Sequence, residues 1–154
     1  MSFFSSLSIS GSGLTAEQTR MDLISDNIAN VNTLQTAEGG PYQREEAIFT
    51  PIGANGTGGP QTPAVPTPFG GRAQPLAQGV MVASIATDRS TGRLVFDPTN
   101  PLANKTGYVT YPNVNLVTEI SDMMGATRAY QANVTALNAT KAMAAKALEI
   151  GHGG

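Results

Sequence analysis

The stretch Val114-Asn-Leu-Val-Thr-Glu-Ile-Ser-Asp-Met-Met-Gly-Ala-Thr-Arg-Ala-Tyr130, running on through Gln131-Ala-Asn-Val-Thr-Ala-Leu-Asn-Ala-Thr-Lys-Ala-Met-Ala-Ala-Lys-Ala-Leu-Glu-Ile150, decides the fold. Ile120, Thr127, Val134, Lys141 and Leu148 recur every seven residues, and so do Met123, Tyr130, Leu137 and Ala144. Interleaved, the two rows give a 3-4 stripe, the pattern of a coiled-coil-like helix seam. Asn113 or Asn115 can cap the start of this helix and Gly151 can stop it. At 1.5 Å per residue it spans about 55 Å. A compact 100-residue domain has a radius of gyration of only about 13 Å, so the helix must project from its own domain or line a neighbour. Thr127 and Lys141 are imperfect seam residues, which argues against a pure two-helix zipper.

A second stripe lies at the other end, over roughly 3–33. Leu7, Leu14, Met21 and Ile28 are spaced by seven, Ile24 and Val31 follow the last two by three, and Phe3 precedes Leu7 by four. Gly11 and Gly13 interrupt the pattern, each costing about 1 kcal/mol against Ala. Thr15-Ala-Glu-Gln18 reads as a capping box, which predicts that the firm part of the helix begins near Thr15. Asn30, Asn32 and Thr33 read as its exit.

Between the stripes lies a β-rich region, 34–113. Strand-like pieces occur at Glu46–Pro51, Gly79–Thr87, Arg93–Phe96 and Gly107–Tyr111. Val80, Val82 and Ile85 are expected to share a small sheet with Leu94 and Phe96, with Ser90-Thr-Gly92 as the turn between the two strands. Residues 51–75 are about half Gly or Pro, which holds neither a helix nor a central strand and reads as an irregular surface loop. The fold class is therefore α+β. Residues 1–33 and 114–151 are expected to form one inner helical domain, and 34–113 a small outer region.

Composition excludes several kinds of function. The 154 residues contain no cysteine and no tryptophan, and carry a net charge of −2 with no basic cluster. That removes disulfides and thiolate metal sites, and gives no footprint for a nucleic acid. No run approaches the roughly 18 apolar residues of a membrane span. The start has no Lys or Arg before Arg20, so it lacks the cationic n-region of a cleaved secretory signal. The one histidine, His152, lies among glycines near the end of the chain, and no acid–base or nucleophile constellation forms around it. Glu45-Glu46 is the one adjacent carboxylate pair and reads as a solvated strand edge, because neighbours on a strand point to opposite faces. Gly11-Ser-Gly13 has no following Lys and makes no phosphate loop, and Asp88-Arg-Ser-Thr-Gly92 lacks the ligands of a calcium loop. The expectation is a chain with no catalytic, metal or cofactor site.

Charged residues make up only 13% of the chain, against roughly 25% in an ordinary soluble domain. Loops do not account for the deficit, because it lies in the helices. Over 116–150 the charges are Glu119, Asp122, Arg128, Lys141, Lys146 and Glu149, and most positions off the seam are Ala, Asn, Thr, Gln or Ser. Exposed helices usually carry Glu–Lys pairs at i,i+4, and these do not. Both helices therefore read as elements packed on several sides, in a larger assembly. The residues assigned to subunit packing are Leu7, Leu14, Met21, Ile24, Ile28, Val31, Ile120, Met123, Thr127, Tyr130, Val134, Leu137, Ala144 and Leu148.

The stretch Ser12–Thr33, and above all Asp26-Asn-Ile-Ala-Asn-Val-Asn-Thr33, resembles the N-terminal signature of the rod and hook axial proteins of the bacterial flagellum. Glu38-Gly-Gly-Pro-Tyr-Gln-Arg44, Gly107-Tyr-Val-Thr-Tyr-Pro-Asn-Val-Asn115 and Ala126-Thr-Arg-Ala-Tyr-Gln-Ala-Asn-Val134 are similar to the FlgC-type proximal rod branch of that family. Lys141-Ala-Met, Lys146–Ile150, Asp97-Pro98 and Asn100-Pro101 also fit it, whereas 51–75 lies outside the resemblance. The resemblance implies a non-enzymatic subunit of the periplasm-spanning rod in the basal body, which transmits torque to the hook. It also implies export by the flagellar type III apparatus without a cleaved signal. The neighbours it implies are further copies, the other proximal rod proteins of the FlgB and FlgF types, a basal adaptor of the FliE type, and the distal rod protein of the FlgG type. The competing readings are a rod paralogue at another axial level, or a binding module outside the flagellum using the Pro-x-x-Pro of Pro63–Pro66.

Overall fold

A computed structural model describes residues 3–52 and 79–152. Helix α1 spans Phe3–Ala29 and helix α2 spans Leu116–His152, 27 and 37 residues. Among the described residues four strands lie between them: β1 (Glu45–Pro51), β2 (Val80–Thr87), β3 (Leu94–Phe96) and β4 (Tyr108–Thr110). The α+β reading holds at this level. The expected irregular loop at 51–75 falls largely outside the described residues.

Helix α1 starts at Phe3, where the stripe over 3–33 put it, and does not wait for the capping box at Thr15. Capping preferences mark where a helix can begin, and Gly11 and Gly13 lower its propensity without breaking it. Helix α2 runs through Gly151 to His152. Its start follows the expectation: the Asn115 side-chain oxygen accepts the amides of Val117 (3.0 Å) and Thr118 (3.4 Å).

The sheet is also built differently. β2 pairs with β1, and β3 pairs with β4, so the described residues form two two-stranded sheets rather than one joining β2 to β3. The amide of Ile52 donates to Gly79 O (2.9 Å) and that of Asp88 to Arg44 O (2.8 Å), which makes the β1–β2 pair antiparallel. β3 and β4 are antiparallel with Val95 opposite Val109. Residues 88–93 therefore lead from one sheet to the other and do not close a hairpin. Gly92 is needed there, because a Cβ at that position would run into the backbone carbonyl of Tyr111.

The chain divides into two compact units. One is built from Met1–Gln18, Phe49–Ala83 and Arg128–Gly154, so far as these residues are described. In it the side-chain amide of Asn133 lies 2.9 Å from where a Cβ on Gly13 would stand, and the Ser12 hydroxyl accepts the Val80 amide (3.1 Å). A cavity of about 340 Å³ opens among Ile9, Ala16, Phe49, Val80 and Asn133. The other unit is Thr19–Ile48 with Ser84–Thr127. It holds most of the buried side chains: Leu23, Ile24, Asn27, Val109, Glu119 and Ala126.

Candidate functional site

Within the second unit a polar cluster occupies the place where an apolar core would be expected. Asn27 follows Leu23 and Ile24 on the buried face of α1, and Glu119 lies one heptad before Ala126 on α2; both Asn27 and Glu119 are 0% exposed. A buried carboxylate survives only when paired and hydrogen-bonded. Here Glu119 Oε1 accepts from Arg44 Nε at 2.6 Å, and its Oε2 accepts from Asn27 Nδ2 at 3.2 Å. The same Arg44 guanidinium reaches Glu46 (3.0 Å) and Asp122 (3.5 Å).

Asn27 is saturated. Its amide nitrogen also donates to Glu45 O (2.9 Å), and its oxygen accepts from the Glu45 amide (2.9 Å) and the Tyr42 hydroxyl (3.0 Å). Asn113 closes the other side. Its oxygen accepts the Arg44 amide (2.8 Å), and its nitrogen donates to Asp88 O (2.8 Å) and Ser90 Oγ (3.0 Å). The cluster thus ties α1, the segment before β1, the segment after β2 and the start of α2 into one node. Glu119 and the acids around it hold the Arg44 guanidinium above its usual basicity. Burial, then the charges of Glu45, Asp26 and Glu119, push the Tyr42 phenol up from its ordinary value.

Three of the stretches that carry the sequence resemblance meet at this node. Asn27 comes from Asp26–Thr33, Tyr42 and Arg44 from Glu38–Arg44, and Asn113 from Gly107–Asn115. The rest of the N-terminal signature builds the helix exit: Asn30 Nδ2 donates to Asp26 O (2.9 Å), the Thr33 hydroxyl donates to Asn30 Oδ1 (3.1 Å), and Tyr42 N donates to Thr33 O (3.0 Å). Apolar periodicity does not find these residues, because it scores a polar side chain as outward. The available signal was Asn27 and Glu119 at core-phase positions in their helices.

The residues assigned to subunit packing are distributed as follows. Ile24 is buried; Leu7, Leu14, Met21, Ile28, Val31, Met123, Thr127, Tyr130, Val134, Leu137 and Ala144 are half-buried; Ile120 and Leu148 are exposed. Thr127 Oγ1 lies 3.8 Å from Met21 Sδ, so two of them meet within the second unit. The most covered line on α2 passes through Glu119, Met123 and Ala126, one residue earlier than the row beginning at Ile120. The apolar side chains left outside that line form their own group on the opening turns: Leu116, Val117 (78% exposed), Ile120 and Met124.

A family model described as "Flagella basal body rod protein" matches residues 7–39, and one described as "Flagellar basal body rod FlgEFG protein C-terminal" matches residues 105–150. A flagellar basal-body rod protein FlgC from Borreliella burgdorferi is 45% identical over 97% of this chain and 98% of its own length. FlgC proteins from Bacillus subtilis and Escherichia coli are 41% and 35% identical, each over 98% of this chain and 99% of theirs. Among the described residues no helix is long and apolar enough to cross a membrane. The chain belongs to the flagellar basal-body rod proteins, as a structural and non-enzymatic member of the FlgC type.

Proposed function

We propose that this chain polymerises through α1 and α2 into the proximal rod, the part of the drive shaft that carries torque across the periplasm towards the hook. The observation that carries this reading is the uncovered state of α2. Val117, Ile120 and Met124 stand exposed on its opening turns, and from Arg128 to Glu149 no side chain is buried. Exposed apolar rows on a long, charge-poor helix mark a surface that other protein covers. The polar node supplies the stiffness that torque requires, since a satisfied buried network fixes one arrangement of its elements.

The neighbours in this reading are further copies, the FlgB- and FlgF-type proximal rod proteins, the FliE-type adaptor and the FlgG-type distal rod protein. Transit goes through the flagellar type III apparatus without cleavage, so mass spectrometry of rod-borne chain should find its N-terminus intact. The decisive experiment replaces the resident chain with a Val117→Asp/Met124→Asp variant. Export should continue while basal bodies stop short of the distal rod and hook. Normal hooks and swimming from that variant would sink the reading.

A further inference from the structure

Gly125 stands in the middle of α2, and a Cβ built on it meets nothing within 4 Å. Glycine is a poor helix former, and no packing among the described residues requires it there. Gly13 shows the contrast, because Asn133 occupies the space its side chain would need. Gly125 lies on an exposed face with Val117, Ser121, Met124 and Arg128, at i, i+4, i+7, i+8 and i+11. That face combines two apolar side chains, two small residues that admit a close backbone, and a cation that makes no ion pair among the described residues.

An exposed face of α1 carries the complementary set. Asp22, Ser25, Asp26 and Ala29 follow one another at the same helical spacing. The two acids are like charges at i,i+4, and Asp26 lies in the last turn, where the helix dipole disfavours an anion and no basic residue offsets it. Neither carboxylate makes a hydrogen bond or ion pair among the described residues.

We infer that the α2 face at 117–128 is covered by the α1 face at 22–29 of a second copy running antiparallel to it, with Asp22 opposite Arg128, Asp26 one turn along, and the small residues Ser25 and Ala29 opposite Gly125 and Ser121. This deepens the proposed polymerisation and rests on it. Because the two faces differ, the contact is heterologous and propagates from copy to copy rather than closing as a dimer.

The chain has no cysteine, which allows a clean test. Two singly substituted chains, Ala29→Cys and Ser121→Cys, are co-expressed in cells lacking the resident copy, one of them tagged, and basal bodies are isolated and oxidised. The expected product is a disulfide-linked tagged–untagged dimer, absent when either chain is expressed alone. Arg128→Asp should abolish the cross-link and the joined change with Asp22→Arg and Asp26→Arg should restore it. Basal bodies that contain both chains without that dimer, or with Ala29→Cys linked to a different protein, overturn this inference and leave the rod reading standing. Absence of the chain from basal bodies altogether overturns the rod reading itself.

Discussion

Glu119 is the residue on which the second unit depends. Its carboxylate is fully buried, and Arg44 holds it at 2.6 Å. Removing one partner of a buried pair strands the other, at a cost of about 3–5 kcal/mol. Glu119→Ala should therefore lower the urea midpoint of the full chain sharply, and Arg44→Met should do nearly as much. The joint replacement Arg44→Met/Glu119→Leu should recover much of the loss, because it removes both desolvation penalties. Strict additivity of the single losses would show that the two side chains do not act as a pair. Tyr42 adds a pH dependence on the alkaline side. Its folded-state phenol is raised above 10.0, first by burial and then by Glu45, Asp26 and Glu119. A raised group keeps its proton longer in the folded chain, so its contribution is complete below about pH 10 and is lost as pH climbs through the folded value. The denaturant midpoint should fall above about pH 10, and Tyr42→Phe should flatten that fall.

At the scale of the element, the glycines separate helix propensity from packing. Gly11 sits inside α1 with nothing within 4 Å of a built Cβ, so Gly11→Ala should stabilise the isolated chain by up to about 1 kcal/mol. Gly92→Ala should destabilise it, because the obstacle is the Tyr111 carbonyl, whose own amide is tied to Arg93 O at 2.8 Å. Thermal melts of the two variants should move in opposite directions. The helices and the strand positions were legible in sequence to within a few residues, since repeats of seven and alternating apolar residues survive in any context. Strand partners were not legible. Val80, Val82 and Ile85 read as apolar whether β2 pairs with β1 or with β3, and residues 88–93 resemble a turn in either case. On α2 the expected row departs from the covered line at Ile120 for a related reason. Glu119 is charged and Ile120 is not, so hydropathy turns Ile120 inward, while the structure buries Glu119 because Arg44 and Asn27 satisfy it. What sequence located only through family resemblance, apolar patterning could not: Asn27, Arg44 and Asn113 are far apart along the chain and share no periodicity.

For the whole molecule, burial is unevenly divided. The unit Thr19–Ile48 with Ser84–Thr127 contains the polar node and most of the covered apolar side chains. In the other unit Ala16 is buried, while α2 from Arg128 to Glu149 buries no side chain and exposes Met143 and Leu148. An isolated helix gains most of its stability from tertiary packing of one face, and without that packing it frays. A segment whose side chains are at most half-covered should therefore open at little free-energy cost in a dilute solution of the full chain, and should close when neighbouring protein covers it. Hydrogen exchange of the soluble chain is expected to be slow at the amides of Leu23 to Asn27 and Glu119 to Ala126, and fast from about Arg128 onward. In isolated basal bodies the same late amides should become slow. Uniform protection along α2 in the dilute chain would show that this helix needs no partner, and the link between folding and assembly would then fail.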